Sequence, residues 1–341
     1  MINKHNLFRA NILLLITLSG VVFITPFLNV NGLIYPPSID SVFISQQEIL
    51  YEKRVLEGGI DSGRIFIYNP GEIGVNYTEF EIPVEGDIHI RGWLAGDSII
   101  NPVATVIFIP DISESRMHYI SDLKEFTERG FKCFVVELRG QANSDGTQYN
   151  PGSLSANDIS LVIDELELQY GCEDLALMGN RTGAAVAMQS ILDDDRIKVV
   201  VIKNPFVSFG KYFTKYAINY WGPWVGPLCK VIKRDYEQII GFYPDSLDLA
   251  QLSRFIEKPA LFIAANFYTE NIARETRSVY RASTSARKKL VIDRSSVFHE
   301  NGFDNSKEYY DLITSFIATS MPATKKKSKF KKLVEVTNTS R

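Results

Sequence analysis

A series of short apolar runs, each separated from the next by a stretch with helical spacing, constrains this chain more than any other feature. ATVIFI (Ala104 to Ile109), FKCFVVEL (Phe131 to Leu138), LALM (Leu175 to Met178), KVVVIK (Lys198 to Lys203) and ALFIAA (Ala260 to Ala265) read as strands. Because these runs do not alternate polar with apolar residues, both of their faces must be covered. Between them, Tyr119 to Arg129 puts Ile120, Leu123 and Phe126 on one helical face, Ser155 to Tyr170 repeats the pattern with Ile159, Val162, Ile163, Leu166 and Leu168, and Ala184 to Leu192 is helical. Alternation of this kind predicts an α/β fold, a mostly parallel sheet flanked by helices on both sides.

The flanks of this core differ from it. Asn76 to Pro83 and Asp87 to Leu94 alternate with period two around Glu85-Gly86-Asp87, which predicts a β-hairpin and an antiparallel edge. Some fifty residues between Lys203 and Ala260 hold Tyr212, Phe213, Tyr216, Tyr220, Trp221, Trp224, Phe242 and Tyr243. They predict a helical cap at about residues 205–258, whose aromatics either close the insertion over the sheet or form a lipid- or acyl-binding lid. Lys289 to Ile292 reads as the last strand and Tyr309 to Ile317 as the closing helix, giving a core domain over 76–320. A basic run, KKKSKFKK at Lys325 to Lys332, marks a tail over 321–341 that is either a solvated end or a contact for anionic headgroups.

Ahead of the core, no charged residue occurs from Ala10 to Ile39, and Ile12 to Val30 nearly matches the roughly 20 apolar residues that cross a bilayer. Lys4 and Arg9 precede this run and the next charges, Asp40 and Glu48, are acidic. Charge asymmetry of this sign predicts a single-pass anchor over residues 1–34, with the N-terminus cytoplasmic and the main domain outside. A cleaved signal peptide, leaving a secreted domain, is the other reading of the same run. Residues 35–75 read as a stalk or edge subdomain.

Composition narrows the function classes. A net charge of −3 offers no basic field for nucleic acid, which is not expected as a partner. The three cysteines, Cys133, Cys172 and Cys229, are too far apart for a CxxC metal site and odd in number, so neither a disulfide framework nor a metal centre is expected. No cofactor motif is present.

One turn carries the most specific chemistry. The Leu175 to Met178 strand runs directly into Gly179-Asn180-Arg181-Thr182-Gly183 and then into a small-residue helix. Combined with the edge hairpin, the cap and a late histidine in SSVFHENGF, this order of parts over about 76 to 318 resembles the α/β-hydrolase superfamily, particularly membrane-associated lipase, esterase and serine-peptidase-like members. The resemblance implies a GxSxG nucleophile elbow at Gly179 to Gly183. Both glycines are in place, but the apex is Arg181, whose guanidinium stays protonated and has no lone pair for acyl transfer.

The same resemblance assigns the other positions. It places oxyanion donors at the backbone N–H groups of Ile112 and Thr182, yet the strand from Thr105 to Ile109 is followed by Pro110-Asp111, and a carboxylate there opposes oxyanion stabilisation. It puts the triad acid just after the Ala260 to Ala265 strand, where Tyr268 stands, with Glu270 as a displaced candidate, and the triad histidine at His299. Glu137, Arg139, Gly140 and Ser144 match a structural turn of the family. Ser113 and Ser115 are loop serines, and Thr182 would be the apex if the register slipped by one residue. His89 and His118 stand alone.

These residues predict an Arg181–Asp111 ion pair plugging the former pocket and a membrane-anchored protein without serine hydrolysis that binds a ligand or partner. An active esterase, lipase or peptidase with displaced catalytic residues is the alternative. Expected partners are the lipid bilayer, a small anionic or acyl ligand at Arg181, and a protein docked on the cap.

Overall fold

A computed structural model describes residues 67–146, 148–265, 270–293 and 307–322. The Ile12 to Val30 run, most of the stalk, the basic tail, Tyr268 and His299 lie outside the described residues.

The strands are β1 (Tyr77–Glu85), β2 (Ile88–Ala95), β3 (Thr105–Ile109), β4 (Lys132–Glu137), β5 (Leu175–Asn180), β6 (Ile197–Lys203), β7 (Ala260–Ala265) and β8 (Lys288–Asp293). They form one sheet in the order β1-β2-β4-β3-β5-β6-β7-β8. The hairpin expected from the period-two segments is present, since β1 pairs antiparallel with β2 and β2 antiparallel with β4. From β4 onward every pairing is parallel. The sheet is thus mixed, with an antiparallel edge on a parallel body.

The helices are α1 (Ile120–Glu128), α2 (Ser153–Tyr170), α3 (Thr182–Asp193), α4 (Phe209–Trp221), α5 (Cys229–Ile240), the short α6 (Leu249–Leu252), α7 (Glu270–Ala282) and α8 (Lys307–Ser320). Two hydrophobic clusters cover the two faces of the sheet. One contains Ile107, Phe134, Leu177, Val200 and Phe262 with α2 and α3; the other contains Val106, Phe108, Val135, Met178 and Val201 with α1 and α8. Successive strand residues face opposite clusters, which is why the strands read as unbroken apolar runs. Helix α7 was not anticipated: its sequence, ENIARETRSVYRA, is mostly polar and leaves only a narrow buried stripe through Ala273 and Val279.

The cap consists of α4, a 3-10 turn at Pro223–Leu228, α5 and a second 3-10 turn at Pro244–Ser246. Phe209, Phe213 and Tyr236 are buried and meet edge to face or tilted, with ring centroids 5.4–6.4 Å apart. These rings close the insertion onto the sheet. Cys133, Cys172 and Cys229 are buried free thiols. Among the described residues no helix is long and apolar enough to cross a membrane.

Candidate functional site

The site lies at the carboxyl ends of β3 and β5, where the chain turns from strand into helix. Arg181 sits between β5 and α3 with φ 49° and ψ −105°, a conformation L-residues avoid. The neighbours explain why the turn holds. A Cβ on Gly179 would meet the Gly183 carbonyl oxygen at 2.2 Å, and one on Gly183 would meet the Ile109 carbonyl oxygen at 2.1 Å. Only glycine permits that approach. The left-handed φ falls on Arg181 and on neither Asn180 nor Thr182, so Arg181 is the apex residue.

Around the apex, the loop after β3 folds back on the start of α3. Asp111, 1% exposed, accepts hydrogen bonds from the Thr182 N–H at 3.0 Å, the Thr182 hydroxyl at 2.6 Å and the Ser113 hydroxyl at 2.6 Å. The Thr182 hydroxyl in turn accepts from the Ile112 N–H at 2.8 Å. Both backbone donors assigned to an oxyanion are therefore engaged within the protein, one by a carboxylate and one by the hydroxyl bound to that carboxylate. The Arg181 guanidinium stands 3.7 Å from Asp111 through Nε and 5.1 Å above the Tyr212 ring. Burial alone would lower its pKa, but Tyr212 and Asp111 outweigh burial and hold it raised.

Residues that the sequence reading did not single out fix this arrangement. Glu114 accepts from the Asp111 N–H at 2.9 Å, the Asn180 side chain at 2.6 Å and the Tyr119 hydroxyl at 2.9 Å, tying the loop to the end of β5. Asn204, at the end of β6, donates to the Asn180 side-chain oxygen at 3.1 Å. Tyr149, 1% exposed, lies beside Thr182 and Asp111; burial raises the pKa of its phenol, and its interaction with the Thr182 side chain opposes that rise. Burial, with Asp111 adding to it, pushes the Tyr212 phenol up to about 12, so it is a neutral hydroxyl at physiological pH. Nothing in the local sequence marks Glu114 as central, because its contact with Asn180 joins segments 66 residues apart.

Other candidates fall away from chemistry. The Thr182 hydroxyl is committed to Asp111 and Ile112, and Thr182 is 1% exposed. Ser115 caps the 3-10 turn at Arg116–Tyr119 together with His118. His89 pairs with Asp145 at 3.1 Å on the sheet edge. Arg139 makes a two-pronged pair with Asp158 at 2.7 and 2.5 Å, and Ser144 accepts from the Arg91 N–H at 2.8 Å, which makes their turn structural. Glu270 is the first residue of α7. Among the described residues no group of His, Cys, Asp and Glu side chains could hold a metal ion.

Comparison with known proteins agrees with this architecture. The sequence profile of the family described as serine aminopeptidase, S33, matches residues 100–290. No curated protein sequence matches. The fold is similar to that of the Pyrococcus furiosus esterase Pf2001, with a TM-score of 0.59 and 18% identity over 77% of this chain and 100% of that one. It is also similar to the α/β hydrolase GrgF from Penicillium sp. sh18, with a TM-score of 0.55 and 14% identity over 72% and 99% of the two chains. A third similar structure is the proline iminopeptidase of Mycobacterium smegmatis, with a TM-score of 0.51 and 12% identity over 71% and 98%. At these identities the likeness is one of fold. The profile match spans more than half of the chain, and with the elbow geometry it places this protein in the serine aminopeptidase S33 family of the α/β-hydrolase superfamily.

Proposed function

We propose that this protein is a member of its family that binds a ligand or partner and does not carry out serine hydrolysis. The observation that carries the reading is the occupancy of the oxyanion site. Acyl transfer needs backbone donors free to receive a developing negative charge, worth about 3–4 kcal/mol per donor in the transition state. Here the Asp111 carboxylate already takes the Thr182 N–H, and a fixed negative charge beside a forming oxyanion would raise its energy. Arg181 supplies a cation where a nucleophile would stand. A bound molecule would meet the partly exposed Arg181 and the Tyr212 ring, not an open oxyanion hole, because Asp111 offsets the charge that would draw a free carboxylate or phosphate. The apolar Ile12 to Val30 run supports attachment to a membrane as part of this reading.

The family and the esterase and iminopeptidase folds it resembles favour a second reading, a working hydrolase whose nucleophile, with Glu270 or His299, is displaced from the elbow. A fluorophosphonate probe applied to the purified full chain separates the two. We expect no covalent adduct by intact-mass spectrometry; stoichiometric labelling that heat denaturation abolishes would overturn the non-hydrolytic reading, and the modified residue would locate the displaced nucleophile.

A further inference from the structure

Outside the elbow, the cap carries a surface that the core does not explain. The 3-10 turn Pro223–Leu228 continues directly into α5. Along this run Trp224, Pro227, Lys230, Val231 and Arg234 are exposed, while Val225, Cys229, Ile232 and Tyr236 are buried. The spacing of three and four residues places the exposed set on one stripe. Trp224 is 48% exposed and Val231 49%, so a large aromatic and a β-branched side chain both face water.

Charge distinguishes this surface from the rest of the molecule. From Pro205 to Ser246 the basic residues are Lys211, Lys215, Lys230, Lys233 and Arg234, against Asp235, Glu237 and Asp245, in a chain whose net charge is −3. Lys233 is held by Asp245 at 2.6 Å. The other four cations have no ion-pair partner among the described residues; Lys230 and Arg234 flank Val231 on the stripe itself, whose carboxylate is the exposed Glu237 three residues after Arg234.

We infer that the Trp224–Val231 stripe of the cap docks on an anionic lipid surface. An indole and short apolar side chains bordered by lysine and arginine suit the headgroup region, where the ring inserts at the acyl boundary and the cations meet phosphate. A protein partner fits less well, because the two exposed cations Lys230 and Arg234 beside a small apolar centre would need a matching acidic patch, whereas an anionic leaflet presents one everywhere. This inference is independent of whether the elbow hydrolyses, and of whether the Ile12 to Val30 run is an anchor.

The test follows Trp224 in the full chain, reconstituted with phosphatidylcholine vesicles with and without phosphatidylglycerol, using brominated phosphatidylcholine as the quencher. Subtracting the signal of Trp224→Phe isolates this residue from Trp221 and the buried Trp93. Quenching of the Trp224 signal is expected in the vesicles containing phosphatidylglycerol. Neutralising Lys230→Gln and Arg234→Gln together should lower the ratio of docked to undocked cap about 30-fold, on the order of fivefold per charge near an anionic surface. Trp224 that stays unquenched with phosphatidylglycerol present overturns the inference and leaves the stripe to a protein. Quenching that is equal in both vesicle types and indifferent to the two substitutions also overturns it, since the surface would then be apolar in its preference and not anion-seeking.

Discussion

Removing the carboxylate at residue 111 should destabilise the protein and uncover an anion site in the same step. Asp111→Ala takes away an acceptor that receives the Thr182 N–H at 3.0 Å and the Thr182 and Ser113 hydroxyls at 2.6 Å. Hydrogen bonds to a charged group contribute about 1.5–3 kcal/mol each but do not add, so the expected loss is about 3 kcal/mol. In a domain of this size that is roughly 6–12 °C in melting temperature. The ion pair contributes a separable part. A 3.7 Å pair is worth about 1 kcal/mol in water-like surroundings and about 4 kcal/mol at an effective dielectric of 20. Because Arg181 is 35% exposed, solvent screening brings the coupling toward the lower end, about 1–2 kcal/mol. Urea denaturation of wild type, Asp111→Ala, Arg181→Ala and the double variant should therefore show the double variant less destabilised than the sum by that amount. Inorganic phosphate should then raise the melting temperature of Asp111→Ala and leave wild type unchanged, because the freed Thr182 N–H at the start of α3 and the Arg181 guanidinium form an anion site. Additivity within about 0.5 kcal/mol, or equal phosphate stabilisation of wild type, would refute the reasoning.

Further expectations concern the support of the site. Asp122 is buried on α1 with Oδ1 lacking a hydrogen-bond partner among the described residues, and burial raises its carboxyl to about 6 despite the opposing pull of Lys203. A raised carboxyl favours the folded state while protonated, so its contribution is complete below about pH 4 and is lost as pH rises to about 6, a change of at most about 3 kcal/mol. Denaturation midpoints of wild type and Asp122→Asn across that window should diverge, with the variant flatter; parallel profiles would count against a buried, poorly solvated carboxyl. At the elbow, Gly183→Ala places a methyl 2.1 Å from the Ile109 carbonyl oxygen, and since both partners are backbone the strain cannot relax cheaply. A loss of about 3 kcal/mol or more in urea denaturation is expected, and a loss under about 1 kcal/mol would show that the strand ends are not packed as described.

The fold was readable because its signals are local. Buried strands of four to eight residues between amphipathic helices announce a parallel sheet, and the hairpin needed only period-two alternation around Gly86. Helix α7 escaped because its buried stripe is narrow and polar residues dominate its composition. The elbow was readable for a similar reason: Gly179 and Gly183 are a steric requirement written four residues apart. Its wiring was not. Glu114 gathers Asp111, Tyr119 and Asn180 from a loop, a 3-10 turn and a strand end, and Tyr212 reaches Arg181 from the cap. Such contacts depend on how the segments pack, and no spacing within any one of them records it.

The two departures at the elbow explain each other. Arg181 immediately precedes the first residue of α3, at the end of a helix where the unpaired N–H groups repel a cation. A guanidinium there is unfavourable unless an anion lies between it and the helix, and the Asp111 carboxylate on the Thr182 N–H is that anion. The converse is not true. A carboxylate that accepts from the first N–H of a helix, as Asp111 does from Thr182, is stabilised by the helix itself and needs no arginine. The energetics are therefore asymmetric: Asp111 can hold its place alone, whereas Arg181 depends on it. Asp111→Ala should then be the more damaging single substitution, and Arg181→Gly, which also relieves the left-handed φ at this position, the milder one. The reverse ranking in the same denaturation series would mean that the guanidinium, through Tyr212 and the cap, holds the loop together, and that the carboxylate merely follows.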